Sequence, residues 1–288
     1  MIPFIELALN GIVSGLVIGL AALSITLVFG VARFPNAATG DVMSLGAFAA
    51  LAGASASGTL LLGGLFGLAV AAVVSLACYF LVFQKLASRP PVASLLASIG
   101  VAFVVRAAMG VIFGHQQKVF DLPLARPWRV LDIRLHPTDL KISLAALATL
   151  LAVFLILHAT PIGRRMRAVA DDPSLARVSG ISPRRIMVAL WLLSGAVAGI
   201  AGVLVGIKTV VTPEMGWDLL LPAFAAAIFG GIGHPVGAVI AGVILGIVQE
   251  VATPFVGFTY KIALSFAVLL AVLLFRPKGL FGTVAGAR

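Results

Sequence analysis

The chain has 288 residues, of which 61% are hydrophobic and only 10% are charged, and its formal net charge is +10. Soluble domains carry roughly 25% charged residues, so this composition excludes an ordinary soluble protein and indicates a chain that lies in a bilayer. The basic residues stand in loops between apolar runs, which is typical of a membrane protein and not of nucleic-acid binding. Cys78 is the single cysteine, so a disulfide framework is excluded.

Apolar runs long enough for a membrane-spanning helix, about 20 residues, follow one another along the chain. The first run has no Lys or Arg before Phe29, so it is interpreted as a retained helix and not as a signal peptide. Two short runs are rich in Gly, Ala and Ser, which favours helices that enter the membrane without crossing it cleanly. The pattern predicts an all-α polytopic membrane protein, one transmembrane domain over 1–288, with about 8–9 transmembrane or partly re-entrant helices. The candidate segments are 5–32, 42–58, 60–83, 94–114, 141–159, 187–209, 219–232, 236–253 and 259–275.

The basic loops predict the orientation in a plasma or inner membrane. The loop 160–186 is rich in arginine and is expected on the cytoplasmic side, as is the C-terminus; counting the crossings back places the N-terminus outside. The loop 115–140 is then expected to face outward. This loop also carries basic residues, but aspartates partly offset their charges. The supporting residues are Lys85, Arg89, Arg164, Arg165, Arg167, Arg177, Arg184, Arg185, Arg276, Lys278 and Arg288, and the opposing ones are Lys118, Arg126, Arg129 and Arg134.

An internal echo links the two short runs. The stretch 40–50 reads GDVMSLGAFAA and the stretch 216–226 reads GWDLLLPAFAA. On the predicted topology the first runs from inside to outside and the second from outside to inside. Opposed repeats with interrupted helices form the central pathway of many transporters. An inverted internal repeat and chance similarity in an Ala-rich membrane protein both remain open.

The loop 160–186 contains three predicted helix starts. In Thr160-Pro161, Asp172-Pro173 and Ser182-Pro183, a side chain able to cap free N–H groups precedes a proline at the first helical position. Gly180 stands where a helix end favours a left-handed residue. The pattern predicts a helix, a short helix at about 173–179 and a further helix.

The short middle helix is expected to lie on another surface, because so short a helix is unstable alone in water. Leu175 and Val178 follow one side, and Ile181 comes just past the end. One interpretation is an amphipathic turn on the membrane surface. The other is a docking element for a separate protein, which the defined capping at both ends favours.

Four stretches carry a resemblance to a known family. They are LNGIVSGL at 9–16, PIGRRMRAVADDPSLARVSGI at 161–181, FAAAIFGGIG at 224–233 followed by GAV at 237–239, and LFRPKGLFG at 274–282. In this order they resemble the branched-chain amino acid permease family of ABC importers. The chain departs from the family pattern at Ala37 and Thr39, and His234-Pro235 shortens the late glycine-rich linker.

The resemblance implies a permease that binds no cofactor itself and whose partner subunits use ATP. It implies two cytoplasmic ABC ATPase subunits, a second permease subunit, identical or sister, and an extracytoplasmic substrate-binding protein that delivers an amino acid. The middle helix would be the coupling helix, and the loop would act as a lever on the helix 187–209. The residues expected to contact the ATPase are Asp171, Asp172, Pro173, Leu175, Ala176, Arg177, Val178, Gly180 and Ile181.

Ionisable residues inside apolar runs are costly and are candidates for function. Arg106 is the deepest of them; it is either a pathway residue or the structural partner of a carboxylate such as Glu250. Asp41 and Asp218 either cap the short helices that they open or meet a zwitterionic amino acid, whose carboxylate suits free helical N–H groups. Lys208 and Lys261 are expected to snorkel. The predicted substrate pathway comprises Asn10, Asn36, Gly40, Asp41, Phe48, Arg106, Asp218 and Phe224.

The sequence contains no phosphate-binding Gly-x-x-x-x-Gly-Lys-Ser/Thr loop, no cluster with metal-site spacing and no convincing catalytic set, so no enzyme, catalytic residue or metal site is expected. The alternatives are an ABC permease for an amide, urea or a ribose-type solute, and a secondary carrier driven by an ion gradient. A scaffold membrane protein fits the interrupted helices and the capped loop poorly. The transported substrate is not readable from the sequence.

Overall fold

The structure is a computed structural model, and it describes residues 2–122, 128–130, 133–275 and 279–281. It is a bundle of helices with one short antiparallel hairpin of β1 (Trp128–Val130) and β2 (Ile133–Leu135). A π-helical turn, Tyr79–Phe83, joins α3 to α4. The helices are α1 (Ile2–Ala32), α2 (Ala38–Ser57), α3 (Leu60–Cys78), α4 (Gln84–Leu86), α5 (Pro91–Phe113), α6 (Pro137–Ala159), α7 (Pro161–Asp171), α8 (Pro173–Val178), α9 (Pro183–Lys208), α10 (Met215–Gly230), α11 (Pro235–Val256) and α12 (Lys261–Phe275).

All nine predicted apolar segments are helical, which confirms the all-α polytopic fold class. Within the described chain, six helical stretches are long and apolar enough to cross a membrane: Phe4–Ala32, Leu60–Leu86, Pro91–Phe113, Pro137–Ala159, Pro183–Lys208 and Pro235–Val256. α10 and α12 are shorter apolar helices, and Pro222 lies inside α10. The hairpin lies in the loop predicted to face outward, for which the sequence pattern predicts no strands.

The bundle has two distinct ends. At one end, α7 and α8 lie beside the end of α1, because Arg33 donates to the carbonyl oxygen of Ala170 at 2.9 Å. The amide of Leu280 donates to the carbonyl of Phe229 at this end. At the other end, the amide of Lys118 donates to the carbonyl of Val211, and the hairpin packs beside α1. The predicted coupling loop and the predicted outward loop are therefore at opposite ends of the molecule.

The helix packing is that of an inverted repeat. α1 packs along α11 and α9 packs along α3; α2 packs on α3 and α5, and α10 packs on α11 and α12. Each contact of the set α1, α2, α3, α5 thus has a counterpart in the set α9, α10, α11, α12. Lys208 contacts Ser14 while Ser194 contacts Ser24, so α1 and α9 run antiparallel. The corresponding first helices of the two halves therefore run in opposite directions, as the echo predicted.

Glycines allow the helices of each half to approach closely. A Cβ placed on Gly15 of α1 would lie 2.7 Å from the Cα of Val243 on α11, and one on Gly199 of α9 would lie 2.7 Å from the Cβ of Ala71 on α3. In lipid, burial of apolar surface gives little advantage, so helix association depends on close van der Waals packing. Small residues at the contacts allow this close packing. The same kind of close contact thus occurs in both halves of the repeat.

Candidate functional site

An ion pair lies among the helices α2, α5 and α10. Arg106 Nε donates to Asp41 Oδ1 at 2.8 Å, and Arg106 Nη2 donates to Asp41 Oδ2 at 3.2 Å. The Asp41 side chain is completely buried, and 21% of the Arg106 side chain is exposed. Charges in a membrane-spanning bundle are retained where they are paired and serve function. The exposed edge of Arg106 is therefore the accessible part of this pair.

Aromatic rings flank the guanidinium group of Arg106. The ring of Trp217 lies 5.2 Å from it and the ring of Phe103 lies 5.7 Å from it, both measured to the ring centroid. Such distances allow cation–π attraction, which strengthens where water is excluded. Asp218 follows Trp217 in the first turn of α10 and is exposed. The predicted pathway residues Asp41 and Arg106 are thus paired here beside Trp217, which sequence reasoning missed, and Asp218 is the next residue along α10.

The crossing of α2 and α10 fixes this arrangement. A Cβ placed on Gly40 would lie 2.7 Å from the carbonyl oxygen of Gly216, and one on Gly216 would overlap the carbonyl of Gly40. The Ser44 hydroxyl of α2 accepts a hydrogen bond from the Gly216 amide at 2.9 Å. The two glycines of the sequence echo therefore lie against each other, and the start of α10 is capped by a side chain of α2.

The prediction that Asp41 and Asp218 cap their own helices is wrong. α2 begins at Ala38, whose amide donates to Asn36 Oδ1 at 3.1 Å, while the carboxylate of Asp41 is held by Arg106. α10 begins at Met215, earlier than predicted, and its N-cap residue makes no side-chain capping bond. Capping by Asp41 fails because the helix starts before it, and its buried charge is satisfied better by a guanidinium group.

The suggested pairing of Arg106 with Glu250 is also wrong. Glu250 Oε2 lies 2.8 Å from Lys261 Nζ, and Glu250 Oε1 accepts a hydrogen bond from the Ser14 hydroxyl at 3.0 Å. Lys208 Nζ donates to the same hydroxyl at 2.7 Å. The expectation that both lysines simply snorkel is thus incomplete, because they belong to a polar network linking α1, α9, α11 and α12. The only sequence signal for this network was the presence of ionisable residues in apolar runs.

The other predicted pathway residues lie in several surroundings. Phe48 is buried and stacks on Phe113 at 5.1 Å between ring centroids. Asn36 is buried beside the start of α2, whereas Asn10 is exposed and lines a hollow next to the hairpin. Phe224 lines an apolar cavity of about 110 Å³ between α1 and α10, together with Ile25, Thr26, Phe29, Pro35, Ala227, Ile228, Ile232 and Gly233. The structure therefore does not bring Asn10 to the ion pair.

One face of α10 connects the ion pair with this cavity. Trp217, Leu221, Phe224 and Ile228 are half-buried and recur at helical spacing, so they form a single stripe along the helix. Most other positions of α10 are buried against neighbouring helices. The stripe is a continuous apolar surface that begins at the charged pair.

The second functional element is the loop at the opposite end from the hairpin, where the predicted succession of helix, short helix and helix is confirmed. Asp172 caps α8: its Oδ1 accepts hydrogen bonds from the Ser174 amide at 2.8 Å, the Leu175 amide at 3.1 Å and the Ser174 hydroxyl at 2.5 Å. These bonds, that of the Ser174 hydroxyl first, hold the pKa of the Asp172 carboxyl below its ordinary value. The cap is therefore ionised at neutral pH.

The other end of α8 is closed by a Schellman motif. Gly180 has φ +80°, its amide donates to the carbonyl of Arg177 at 3.1 Å, and the amide of Ile181 donates to the carbonyl of Ala176 at 2.9 Å. Ala176 is buried and Ile181 half-buried, whereas 64% of Leu175 and 87% of Val178 are exposed. A short helix that is fixed at both ends therefore presents two apolar side chains outward.

The capping predicted for the flanking helices is only partly correct. Thr160 Oγ1 accepts a hydrogen bond from the Gly163 amide at 3.5 Å, so α7 is capped as predicted. Ser182 occupies the N-cap position of α9, but its side chain makes no capping bond. Asp171 and Arg177, both expected to contact the ATPase, are exposed on the same loop.

Comparison with known proteins identifies the family. Residues 7–273 match the family described as branched-chain amino acid transport system / permease component. The chain belongs to this family. The high-affinity branched-chain amino acid transport system permease protein LivH of Escherichia coli (strain K12) is 28% identical over 297 residues, which cover 97% of this chain and 96% of LivH. The corresponding permease protein BraD of Pseudomonas aeruginosa is 26% identical over 299 residues, with the same coverage of 97% and 96%.

Solved structures share the fold of this branched-chain permease family member. A putative metal-chelate type ABC transporter in an inward-facing conformation superposes with a TM-score of 0.52 at 17% identity, covering 93% of this chain and 85% of that one. PsaBC from Streptococcus pneumoniae, in complex with Fab, gives a TM-score of 0.51 at 15% identity, covering 93% and 91%. The family predicted from four sequence stretches is confirmed, and the chain is a membrane permease component.

Proposed function

We propose that this permease is the membrane-spanning subunit of an ATP-driven importer for branched-chain or other hydrophobic amino acids. The relatives that align with 97% of the chain are named as high-affinity branched-chain amino acid permeases, which supports the substrate class. The observation that carries the ATP-driven part is α8, a short helix fixed at both ends and with two apolar side chains exposed. This permease has no phosphate-binding loop of its own, so ATP would be used by partner subunits.

The ATPase partner would dock on α8 from the cytoplasm. Leu175 and Val178 are the apolar anchors, and exposed arginines such as Arg177 stand beside them. Interface cores favour such apolar anchors with a charged rim. The orientation follows: the end with α7 and α8 faces the cytoplasm, and the end with the hairpin faces outward, so the N-terminus is outside and the C-terminus inside. The arginine-rich loop agrees with the positive-inside rule.

The remaining partners follow from the site and the family. Two ATPase subunits need two docking helices, so this chain would associate with a second permease subunit, either a copy or a sister. An extracytoplasmic binding protein would deliver the amino acid at the hairpin end. The complex would lie in the plasma or inner membrane.

The substrate would pass the exposed edge of Arg106. A zwitterionic amino acid needs a cation for its carboxylate and an anion for its ammonium group, and Arg106 of α5 and the exposed Asp218 of α10 supply one of each. The electrostatic attraction between opposite charges is stronger where water is scarce. The apolar stripe of α10 that begins at Trp217 offers a surface for a branched aliphatic side chain. Gly40, Phe48 and Asn36 would position α2 within the same pathway.

Uptake by vesicles tests the function. The permease, co-expressed with the ATPases and the second permease of its own system, is reconstituted with ATP inside and with the purified binding protein and labelled leucine outside. We expect uptake that needs both ATP and the binding protein and that excess isoleucine and valine inhibit. Urea, an amide or ribose should compete poorly; strong competition by one of them would assign the substrate to that class instead.

A secondary carrier driven by an ion gradient is the alternative function. It needs a carboxylate free to bind and release the coupling ion, yet Asp41 is paired with Arg106 and Glu250 with Lys261. Of Asp41, Asp218 and Glu250, the carboxylates that the sequence offers for such coupling, this leaves Asp218. Collapse of uptake on adding an uncoupler, with ATP present, would establish the carrier and contradict the importer.

A further inference from the structure

Arg33 occupies a backbone conformation that rarely suits a side chain. α1 ends at Ala32, and Arg33 follows with φ +59°, the one non-glycine residue with positive φ in the part of the chain that the structure describes. Its amide donates to the carbonyl of Phe29 at 3.0 Å, which closes the helix. Glycine is favoured at this position because a Cβ is unfavourable there. An arginine at a position that favours glycine therefore indicates a role for the arginine side chain.

The side chain of Arg33 reaches the loop that carries α8. Its Nη2 donates to the carbonyl oxygens of Ala170 at 2.9 Å and Asp171 at 3.2 Å. These are the last carbonyls of α7, where helical amide partners are lacking and the helix dipole favours a cation. The next residue is Asp172, which caps α8. Arg33 thus contacts the chain directly beside the proposed docking helix.

Residues 33–37 form what we call the strap, and they are anchored to the membrane helices. The ring of Phe34 lies 5.2 Å from that of Phe83 and 6.4 Å from that of Trp191. The amide of Ala37 donates to the Ser98 hydroxyl of α5 at 3.0 Å. α2 begins immediately after the strap, and Asp41 lies in its first turn. The strap therefore connects the coupling loop to the helix that bears the ion pair.

We propose that Arg33 is a positioning residue that transmits the displacement of α8 through the strap to α2 and its Asp41–Arg106 pair. The route is separate from the covalent one through α9, because α2 precedes the loop by more than a hundred residues and is held to it by hydrogen bonds. This inference rests on the proposed function, since it supposes that ATPase subunits move α8. Both bonds are donated by one nitrogen, Nη2, so the reach of the contact is set by the long side chain and planar guanidinium group of arginine, in which lysine differs.

Two variants of Arg33 and a control test the proposal. Arg33→Gly removes the guanidinium group while suiting the left-handed backbone, so it should fold and insert as well as the wild type. Arg33→Lys keeps the positive charge but lacks the planar guanidinium group. Arg165→Ala removes one exposed positive charge from α7 and serves as the matched control. Each is measured in the reconstituted complex for ATPase co-purification, ATP hydrolysis and leucine uptake per ATP hydrolysed.

We expect Arg33→Gly to bind the ATPases and hydrolyse ATP normally, with uptake per ATP reduced about fivefold, the lower range of allosteric coupling. Arg33→Lys should recover part of this loss, and Arg165→Ala should match the wild type. Unchanged uptake per ATP in Arg33→Gly, beside an active wild type, would overturn this inference alone. Loss of ATPase binding in Arg33→Gly would also overturn it, because Arg33 would then serve docking. A wild type without ATP-dependent uptake would overturn the proposed function and this inference together.

Discussion

Arg106 and Asp41 form a two-point ion pair between α5 and α2, with the carboxylate completely buried and the guanidinium group between the rings of Trp217 and Phe103. Breaking a buried pair by removing one partner leaves an uncompensated charge, whereas removing both charges costs far less. This difference separates the structural contribution of the pair from its contribution to transport.

Arg106→Gln should destabilise the permease by about 3–5 kcal/mol, because it leaves the completely buried carboxylate of Asp41 without its partner. Asp41→Asn should cost less, because the guanidinium group that it leaves is partly exposed. The double variant should regain much of this loss in thermal unfolding in detergent. Uptake of leucine should remain low in the double variant if the charges serve the substrate. Recovery of both stability and uptake in the double variant would show that the pair is purely structural.

Gly216→Ala should separate α2 from α10, because the added Cβ would overlap the carbonyl of Gly40. Overpacking of this kind costs about 1–3 kcal/mol, so the thermal midpoint should fall and uptake should fall with it. Gly64→Ala on α3 is the matched control, since a Cβ there meets nothing within 4 Å. It should be neutral or stabilise by up to about 1 kcal/mol. Equal effects of the two substitutions would contradict the assigned crossing.

Asp172→Ala should fray α8 and weaken ATPase binding, because Ser174 and Leu175 lose the acceptor of their amides. The pKa of Asp172 lies below its ordinary value of 3.8, so its contribution is present at every pH above that value and is lost as pH falls through the folded-state pKa. The loss of binding should therefore be the same at pH 6 and pH 8. Hydrogen exchange of the peptide around α8 reports the fraying directly, and unchanged protection in the variant would contradict the cap.

The orientation predicts which loops react from the cytoplasm. In a Cys78→Ser background, Ser179→Cys should react with an impermeant maleimide only in inside-out vesicles, because Ser179 is exposed on the α8 loop. Gln117→Cys, at an exposed position near the hairpin end, should react only in right-side-out vesicles. The reverse pattern would mean that the N-terminus is inside, and the proposed docking of ATPases on α8 would fail with it.

The helices were predictable from the sequence because the bilayer requires long apolar segments with internally satisfied backbone groups. The first residues of the helices were harder to predict. α5 begins at Pro91 and α9 at Pro183, each a few residues before the predicted apolar run, because a proline suits the first position of a helix, where its missing N–H costs no hydrogen bond. The shape of the loop around α8 was predictable, since caps are local and depend on residues three or four positions apart.

The pairing of charges was not predictable in the same way. Asp41 and Arg106 are 65 residues apart, and Glu250 was an equally good partner by residue type. The choice is made by helix packing, which places α2 against α5. Capping of Gly216 by Ser44 escaped prediction for the same reason, because the donor and acceptor belong to different helices. Trp217 was overlooked because a single aromatic residue carries no local signal for a cation partner.

On the proposed function, the ATPase subunit binds α8 through Leu175 and Val178. The most direct measurement is ATPase co-purification and leucine uptake for the double variant Leu175→Ala/Val178→Ala, with Ile162→Ala of α7 as the control for an exposed apolar residue of the same loop. Loss of two apolar anchors should weaken ATPase binding about tenfold or more and lower uptake in step, while membrane insertion and the control stay unchanged. Replacing Pro173 or Gly180 with residues that break the shape of α8 should uncouple ATP hydrolysis from uptake. Wild-type ATPase binding and uptake in the double variant would contradict docking through Leu175 and Val178.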